Sequence, residues 1–127
     1  MSYLLDVSSL LALLSEAHTQ HKRVDVWQEK QRLAVCPISE LGFVRLSTNP
    51  SVGGATMADA RRTLKDWLEK RKPEFIPCDA ALLDTDPAPG SAQTTDFYLA
   101  GLAEKHGMQL ATLDQGIKHK AVFLIPT

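Results

Sequence analysis

Cysteine is scarce in this 127-residue chain, and its scarcity excludes several kinds of site. The only two cysteines, Cys36 and Cys78, lack CxxC spacing and lie in strand-like apolar surroundings. They are expected as buried, reduced thiols of a cytoplasmic protein rather than as a disulfide. Histidine offers no alternative ligand set, because His18, His21, His106 and His119 have no metal-ligand spacing. No apolar run approaches the roughly 20 residues of a membrane helix, so no membrane association is expected. The apolar N-terminus is interrupted by Asp6 with no basic residue before it, so no signal peptide is expected. Repeats, low-complexity segments and linkers are also missing. With 44% hydrophobic and 23% charged residues, the chain reads as globular rather than disordered. Its length suits one domain over residues 1–127.

What is present is an alternation of short apolar runs and helical periodicities. The run Tyr3–Val7 predicts a first strand, followed by a leucine-rich helix to about Ala17. A surface helix over Lys22–Gln31 precedes a second strand, Leu33–Cys36, ended by Pro37. Ser39 is expected to cap a helix opened by Glu40, and Ser51–Ala55 to form a flexible loop. Thr56 caps a helix in which Met57, Ala60, Leu64, Trp67 and Leu68 recur at helical spacing. Phe75–Cys78 reads as an edge strand because it contains Pro77. Thr94 and Thr95 introduce a helix from Asp96 to about His106, with Gly107 as its stop. Strands over Gln109–Leu113 and Ala121–Ile125 complete the pattern. Alternating strands and helices predict an α/β fold, a parallel sheet of about four to five strands flanked by helices.

Four acids fall at junctions of this pattern: Asp6, Glu40, Asp96 and Asp114. Each has a plain structural explanation. Asp6 can cap a helix, Glu40 and Asp96 suit the positive end of a helix dipole, and Asp114 can shape a turn. Together they fall where a parallel sheet exposes the carboxyl ends of its strands, the usual ligand crevice. Carboxylates gathered there repel unless a cation lies between them, and oxygen donors without His or Cys favour Mg²⁺ or Mn²⁺. Such ions serve phosphodiester hydrolysis by activating water and stabilising charge on the phosphate. The net charge of −1 becomes +3 without these four acids, so the remaining surface is mildly basic and compatible with a phosphate-bearing substrate.

The blocks around these acids resemble a known family. Leu4-Leu5-Asp6-Val7-Ser8-Ser9 is similar to the opening of PIN-domain proteins, and Cys36-Pro37-Ile38-Ser39-Glu40-Leu41 to the second block of their VapC-type toxins. Thr95-Asp96-Phe97-Tyr98-Leu99-Ala100 and Leu110-Ala111-Thr112-Leu113-Asp114 resemble the third and fourth blocks, in order and at ordinary distances. The resemblance implies a PIN-like fold and Mg²⁺- or Mn²⁺-dependent endoribonuclease activity. It assigns Asp6, Glu40, Asp96 and Asp114 as metal-site and catalytic acids, with Ser8 and Thr112 as supporting hydroxyls. It further implies an RNA substrate, a cognate antitoxin whose tail occupies the site groove, and frequent homodimers.

Basic residues have two readings each. Lys118 and Lys120 lie near Asp114, and either touch an RNA backbone or belong to a solvated face, as do Arg61, Arg62 and Lys65. Arg45 either meets a phosphate or antitoxin acid or forms a structural ion pair. Trp27 and Trp67 read as core or dimer contacts rather than base-stacking platforms. Rival functions are an RNA-processing PIN nuclease outside a toxin-antitoxin pair, and a catalytically inactive RNA- or protein-binding module. A phosphatase with an aspartyl nucleophile would want a second acid two residues after the first, where Ser8 stands.

Overall fold

The sheet begins at its centre. The computed structural model describes residues 1–127. Strand β1 (Ser2–Leu5) lies in parallel between β2 (Arg32–Val35) and β4 (Gln109–Thr112). Outside them run β3 (Glu74–Phe75) and β5 (Val122–Leu124), giving the order β3-β2-β1-β4-β5 with every pairing parallel. The expected α/β architecture is therefore present, and β3 occupies the edge that Pro77 suggested.

Both faces of the inner strands are buried, as an all-parallel sheet requires. Leu4, Ala34 and Leu110 stand side by side and pack with Leu99, Ala100, Leu102 and Ala103 of α5 (Thr94–Lys105). One residue along the strands the side chains reverse. Leu5, Val35 and Ala111 pack on the opposite face with Leu10, Leu11 and Leu13 of α1 (Val7–Leu14) and with Val24 of α2 (His21–Gln28). Phe43 of α3 (Pro37–Thr48) joins the same cluster, and α4 (Met57–Arg71) packs outside α3. Burying each such leucine contributes roughly 1.5–3 kcal/mol. Trp27 meets Tyr3 edge to face at 5.2 Å and stacks on Phe123 at 5.8 Å, a half-buried aromatic group at the β1–β5 side of the sheet.

Several boundaries differ from expectation for local reasons. Helix α1 stops at Leu14, where Ser15 turns extended and its N–H bonds the Leu11 carbonyl. Helix α3 begins at Pro37 with Cys36 as its cap, because proline at the first helical position is already shaped for a helix and has no N–H to leave unpaired. Ser39 is accordingly not a cap. It is buried inside the first turn and donates its hydroxyl to the Leu5 carbonyl at 2.6 Å, pinning α3 to β1. Helix α5 opens at Thr94, two residues earlier than expected. Cys36 is buried but Cys78 is exposed, since the chain leaves the sheet after Ile76, and both thiols are free. Thr56 caps α4 by accepting the Asp59 N–H at 3.1 Å, and Gly107 ends α5 with a φ of +70°. No helix is long and apolar enough to cross a membrane.

Candidate active site

The chain leaves β1 toward β2 and β3 on one side, then returns to build β4 and β5 on the other. The carboxyl ends of β1 and β4 thus form a topological switch point, where α/β sheets open a crevice. Asp6 stands at the end of β1. Its backbone N–H bonds the Ala111 carbonyl of β4 at 3.2 Å, which fixes it across that seam.

Asp6 is both the cap of α1 and a site residue. Its Oδ1 accepts the Ser9 N–H at 2.8 Å and the Ser8 hydroxyl at 3.1 Å. The side chain is only 3% exposed, and burial pushes its carboxyl above the ordinary range. The Thr112 hydroxyl, the Ser9 N–H and the hydroxyls of Ser9 and Ser8 act in the opposite direction by stabilising the carboxylate. Ser8 and Thr112 both bring a hydroxyl to the Asp6 carboxyl. Ser9 goes beyond expectation: it is fully buried, and its hydroxyl bridges α1 to the Ala111 carbonyl at 3.0 Å. Its only sequence signal is its place three residues after the capping acid, where the capped N–H must lie.

Asp96 sits in the first turn of α5, half-buried. Burial, and then the charges of Asp6 and Asp114, push its carboxyl up to about 6. Asp96 thus feels the charges of two acids from separate segments. Asp114 is exposed just beyond β4. Its N–H donates to Thr112 Oγ1 at 3.1 Å and its Oδ1 accepts the Gly116 N–H at 2.8 Å, a local turn that holds the carboxylate in place.

Glu40 lies one turn into α3, half-buried, with its carboxyl raised by burial alone. It borders a groove of about 900 Å³ between α3 and α4, whose opposite rim carries Arg61, Arg62 and Lys65. Asp96 therefore feels Asp6 and Asp114, while Glu40 borders the neighbouring groove. Arg45 shares a cavity with Asp96. Lys118 donates to the Gln115 carbonyl at 3.2 Å, and Lys120 pairs with Glu104 of α5 at 3.1 Å. Gly42 is a packing position that the sequence did not single out. A helix-interior glycine is a signal for close packing, and here α3 meets Val7 of α1.

No three Asp, Glu, His or Cys side chains close into a single metal-holding group. The donor chemistry nevertheless suits a hard divalent cation. The acids offer oxygen alone, and Asp96 carries the repulsion that a cation relieves. Mg²⁺ commonly takes one or two carboxylates and keeps several waters, so it does not demand a complete protein cage.

An all-parallel five-stranded sheet with carboxylates at its switch point defines a protein of the PIN-domain class. Comparison with known proteins agrees. The chain is 39% identical over 121 residues to Ribonuclease VapC38 of Mycobacterium tuberculosis (strain ATCC 25618 / H37Rv), spanning 90% of this chain and 86% of that protein. It is 36% identical over 131 residues to Ribonuclease VapC44 of Mycobacterium tuberculosis (strain CDC 1551 / Oshkosh), spanning 96% of this chain and 92% of that one. Ribonuclease VapC29 of the same strain is 34% identical over 134 residues, covering 100% of this chain and 98% of its own. No family model matches the chain. The chain belongs to the VapC family of PIN-domain ribonucleases.

Proposed function

We propose that this chain is a Mg²⁺- or Mn²⁺-dependent endoribonuclease and the toxin of a toxin-antitoxin pair, acting in the cytoplasm as one nuclease domain over residues 1–127. The observation that carries the reading is the raised carboxyl of Asp96, half-buried and near the charges of Asp6 and Asp114 at the switch point, in a chain whose relatives are named ribonucleases. Asp6, Glu40, Asp96 and Asp114 are its catalytic acids and the residues that would hold the ion.

A bound divalent ion supplies an activated water and neutralises charge on the phosphodiester. The chain's own residues prepare for it. Ser8, Ser9 and Thr112 hold Asp6 in one orientation and favour its ionised form. Asp96 and Asp114 present acceptor oxygens from the two other segments. Arg45 and Lys118 lie at the margins and attract the RNA backbone, and Lys120 does so while remaining paired with Glu104. A cognate antitoxin would occupy the same crevice, and the chain would form a homodimer.

The test is incubation of the purified protein with RNA in Mg²⁺ or Mn²⁺, with and without chelator, beside Asp96→Asn. Internal cleavage that needs the ion and disappears in the variant is expected. Cleavage that persists in chelator and in the variant would reject the reading.

A further inference from the structure

The His119 side chain is only 2% exposed, although it stands between two exposed lysines, Lys118 and Lys120. Three segments meet at its ring. Nδ1 accepts the Ala121 N–H at 3.0 Å, which closes the turn over residues 115–121. The ring stands edge to face with Phe97 of α5, with centroids 5.4 Å apart and planes at 83°. Nε2 lies 3.3 Å from Asp86 Oδ2, in the segment between β3 and α5, and makes no hydrogen bond elsewhere. An Nδ1 that accepts carries no proton, so the neutral ring keeps its proton on Nε2, beside the Asp86 carboxylate. Phe97 directly follows Asp96, and the turn closed by His119 begins at Asp114. We infer that His119 is a positioning residue, whose ring clamps the turn after β4 against α5 and so fixes where the Asp114 carboxylate stands relative to Asp96. This inference rests on the metal-dependent nuclease reading and adds a residue that sets how tightly the acids hold the ion.

Asp114 needs an anchor of this kind. It is exposed, and its hydrogen bonds with Thr112 and Gly116 shape the turn without tying it to α5. Its charge nevertheless reaches Asp96, so the two carboxylates are neighbours. Like charges drive apart the backbones that carry them unless those backbones are held. Two side-chain links hold the turn to α5, the Phe97–His119 contact and the Lys120–Glu104 pair at 3.1 Å. The pair lies between solvated side chains, where an ion pair contributes little. The His119 ring is buried, and Asp86 backs it from outside. A second pair, His106 Nε2 with Asp79 Oδ1 at 2.8 Å, fastens the same β3–α5 segment at the other end of α5 and does not involve the turn. It separates a specific clamp from a general tightening of that segment.

The experiment takes three readings from the full chain: Mn²⁺ binding by calorimetry, hydrogen exchange of the Asp114 and Gly116 amides by NMR in chelator, and RNA cleavage against Mn²⁺ concentration. His119→Asn keeps an acceptor for the Ala121 N–H but loses the ring and Nε2. Asp86→Ala removes only the outer partner, at an exposed side chain, so it decides the matter if the first variant does not fold. Asp79→Ala is the control. His119→Asn should bind Mn²⁺ about tenfold more weakly, and Asp86→Ala should weaken binding by a smaller factor. In both, the two amides should exchange faster and half-saturation of cleavage should need more Mn²⁺, while kcat at saturating Mn²⁺ stays near that of wild type. A merely structural role would lower the denaturation midpoint and leave Mn²⁺ affinity where it was. Asp79→Ala should match wild type in all three readings. Wild-type Mn²⁺ affinity and amide exchange in His119→Asn and Asp86→Ala, or equal losses in Asp79→Ala, would overturn the clamp and leave the nuclease reading standing. A wild type that takes up no Mn²⁺ and cuts no RNA would defeat the nuclease reading instead. The exchange measured in chelator would then still decide the clamp, upheld by faster exchange in the two variants and overturned by unchanged exchange.

Discussion

Gly42 and Val7 meet without room for one more carbon. A Cβ on Gly42 would lie 2.4 Å from Val7 Cγ2 and 2.7 Å from Val7 Cγ1. Both contacts are to a β-branched side chain that follows Asp6 directly and has one stiff rotamer in a helix. Gly42→Ala therefore has to push α3 away from α1, although alanine favours helix more than glycine does. Overpacking of this kind costs about 1–3 kcal/mol. The expected outcome is a lower denaturation midpoint in urea with an unchanged slope, together with weaker RNA cleavage because α1 and α3 carry Asp6 and Glu40. A variant as stable as wild type would show that the helices separate freely.

Thr112 links two of the acids. Its hydroxyl oxygen accepts the Asp114 N–H at 3.1 Å, and the same hydroxyl helps hold the Asp6 carboxyl down against burial. Thr112→Val keeps the volume and removes both functions. The lost partner costs about 1–3 kcal/mol. With that donor gone, the Asp6 carboxyl rises further, so a higher pH is needed to ionise it. The acid limb of the cleavage rate should move toward higher pH than in wild type. An unshifted limb accompanied by simple destabilisation would separate Thr112 from the site.

The architecture was legible because parallel strands and their helices are written in short-range patterns. The apolar pair Leu4-Leu5 serves both faces of the sheet, Thr56 and Gly107 mark helix ends, and Asp6 combines a cap with a strand end. Ser39 looks like a cap because serine is a good cap in isolation, whereas Pro37 begins the helix two residues sooner. Ser9 and Gly42 carry no local signal because their roles depend on partners far away in the chain, the Ala111 carbonyl and Val7. The exposure of Cys78 was equally illegible. Its apolar neighbours suggested burial, but the edge strand is only two residues long. For the acids, spacing puts all four at one edge of the sheet; in the structure Asp96 feels Asp6 and Asp114, while Glu40 borders the groove between α3 and α4.

Arg71 fastens the end of α4 to the turn between α2 and β2. Its Nε donates to Gln28 Oε1 at 2.9 Å, and one terminal nitrogen donates to the carbonyls of Gln28 and Gln31 at 2.8 and 2.7 Å. A lysine has the charge but not the planar fork. Arg71→Lys is expected to destabilise the fold by about 1–2 kcal/mol without altering base preference or metal requirement. Chemical denaturation measures the first effect and product mapping the second. A change in the cleavage pattern would show that α4 communicates with the site.

Asp96 predicts a conflict between stability and activity. Its carboxyl titrates at about 6 in the folded chain, against an ordinary value of 3.8, because it is buried and faces Asp6 and Asp114. The folded protein thus holds a proton there that the unfolded chain releases. Its stabilising contribution is full below the unfolded value and is lost as pH rises through about 6. At pH 8 the ionised group opposes folding, and Asp96→Asn removes that charge while keeping the shape. In chelator at pH 8 the variant should melt at least about 2 °C above wild type, and the difference should fade as pH falls from 6 toward 4. Mg²⁺ or Mn²⁺ should raise the wild-type melting temperature at pH 8 and leave the variant nearly unmoved, since the cation relieves a repulsion that the asparagine has already removed. The variant should nonetheless have lost cleavage. If Asp96→Asn melts at or below wild type at pH 8, the three acids do not oppose one another in the folded state.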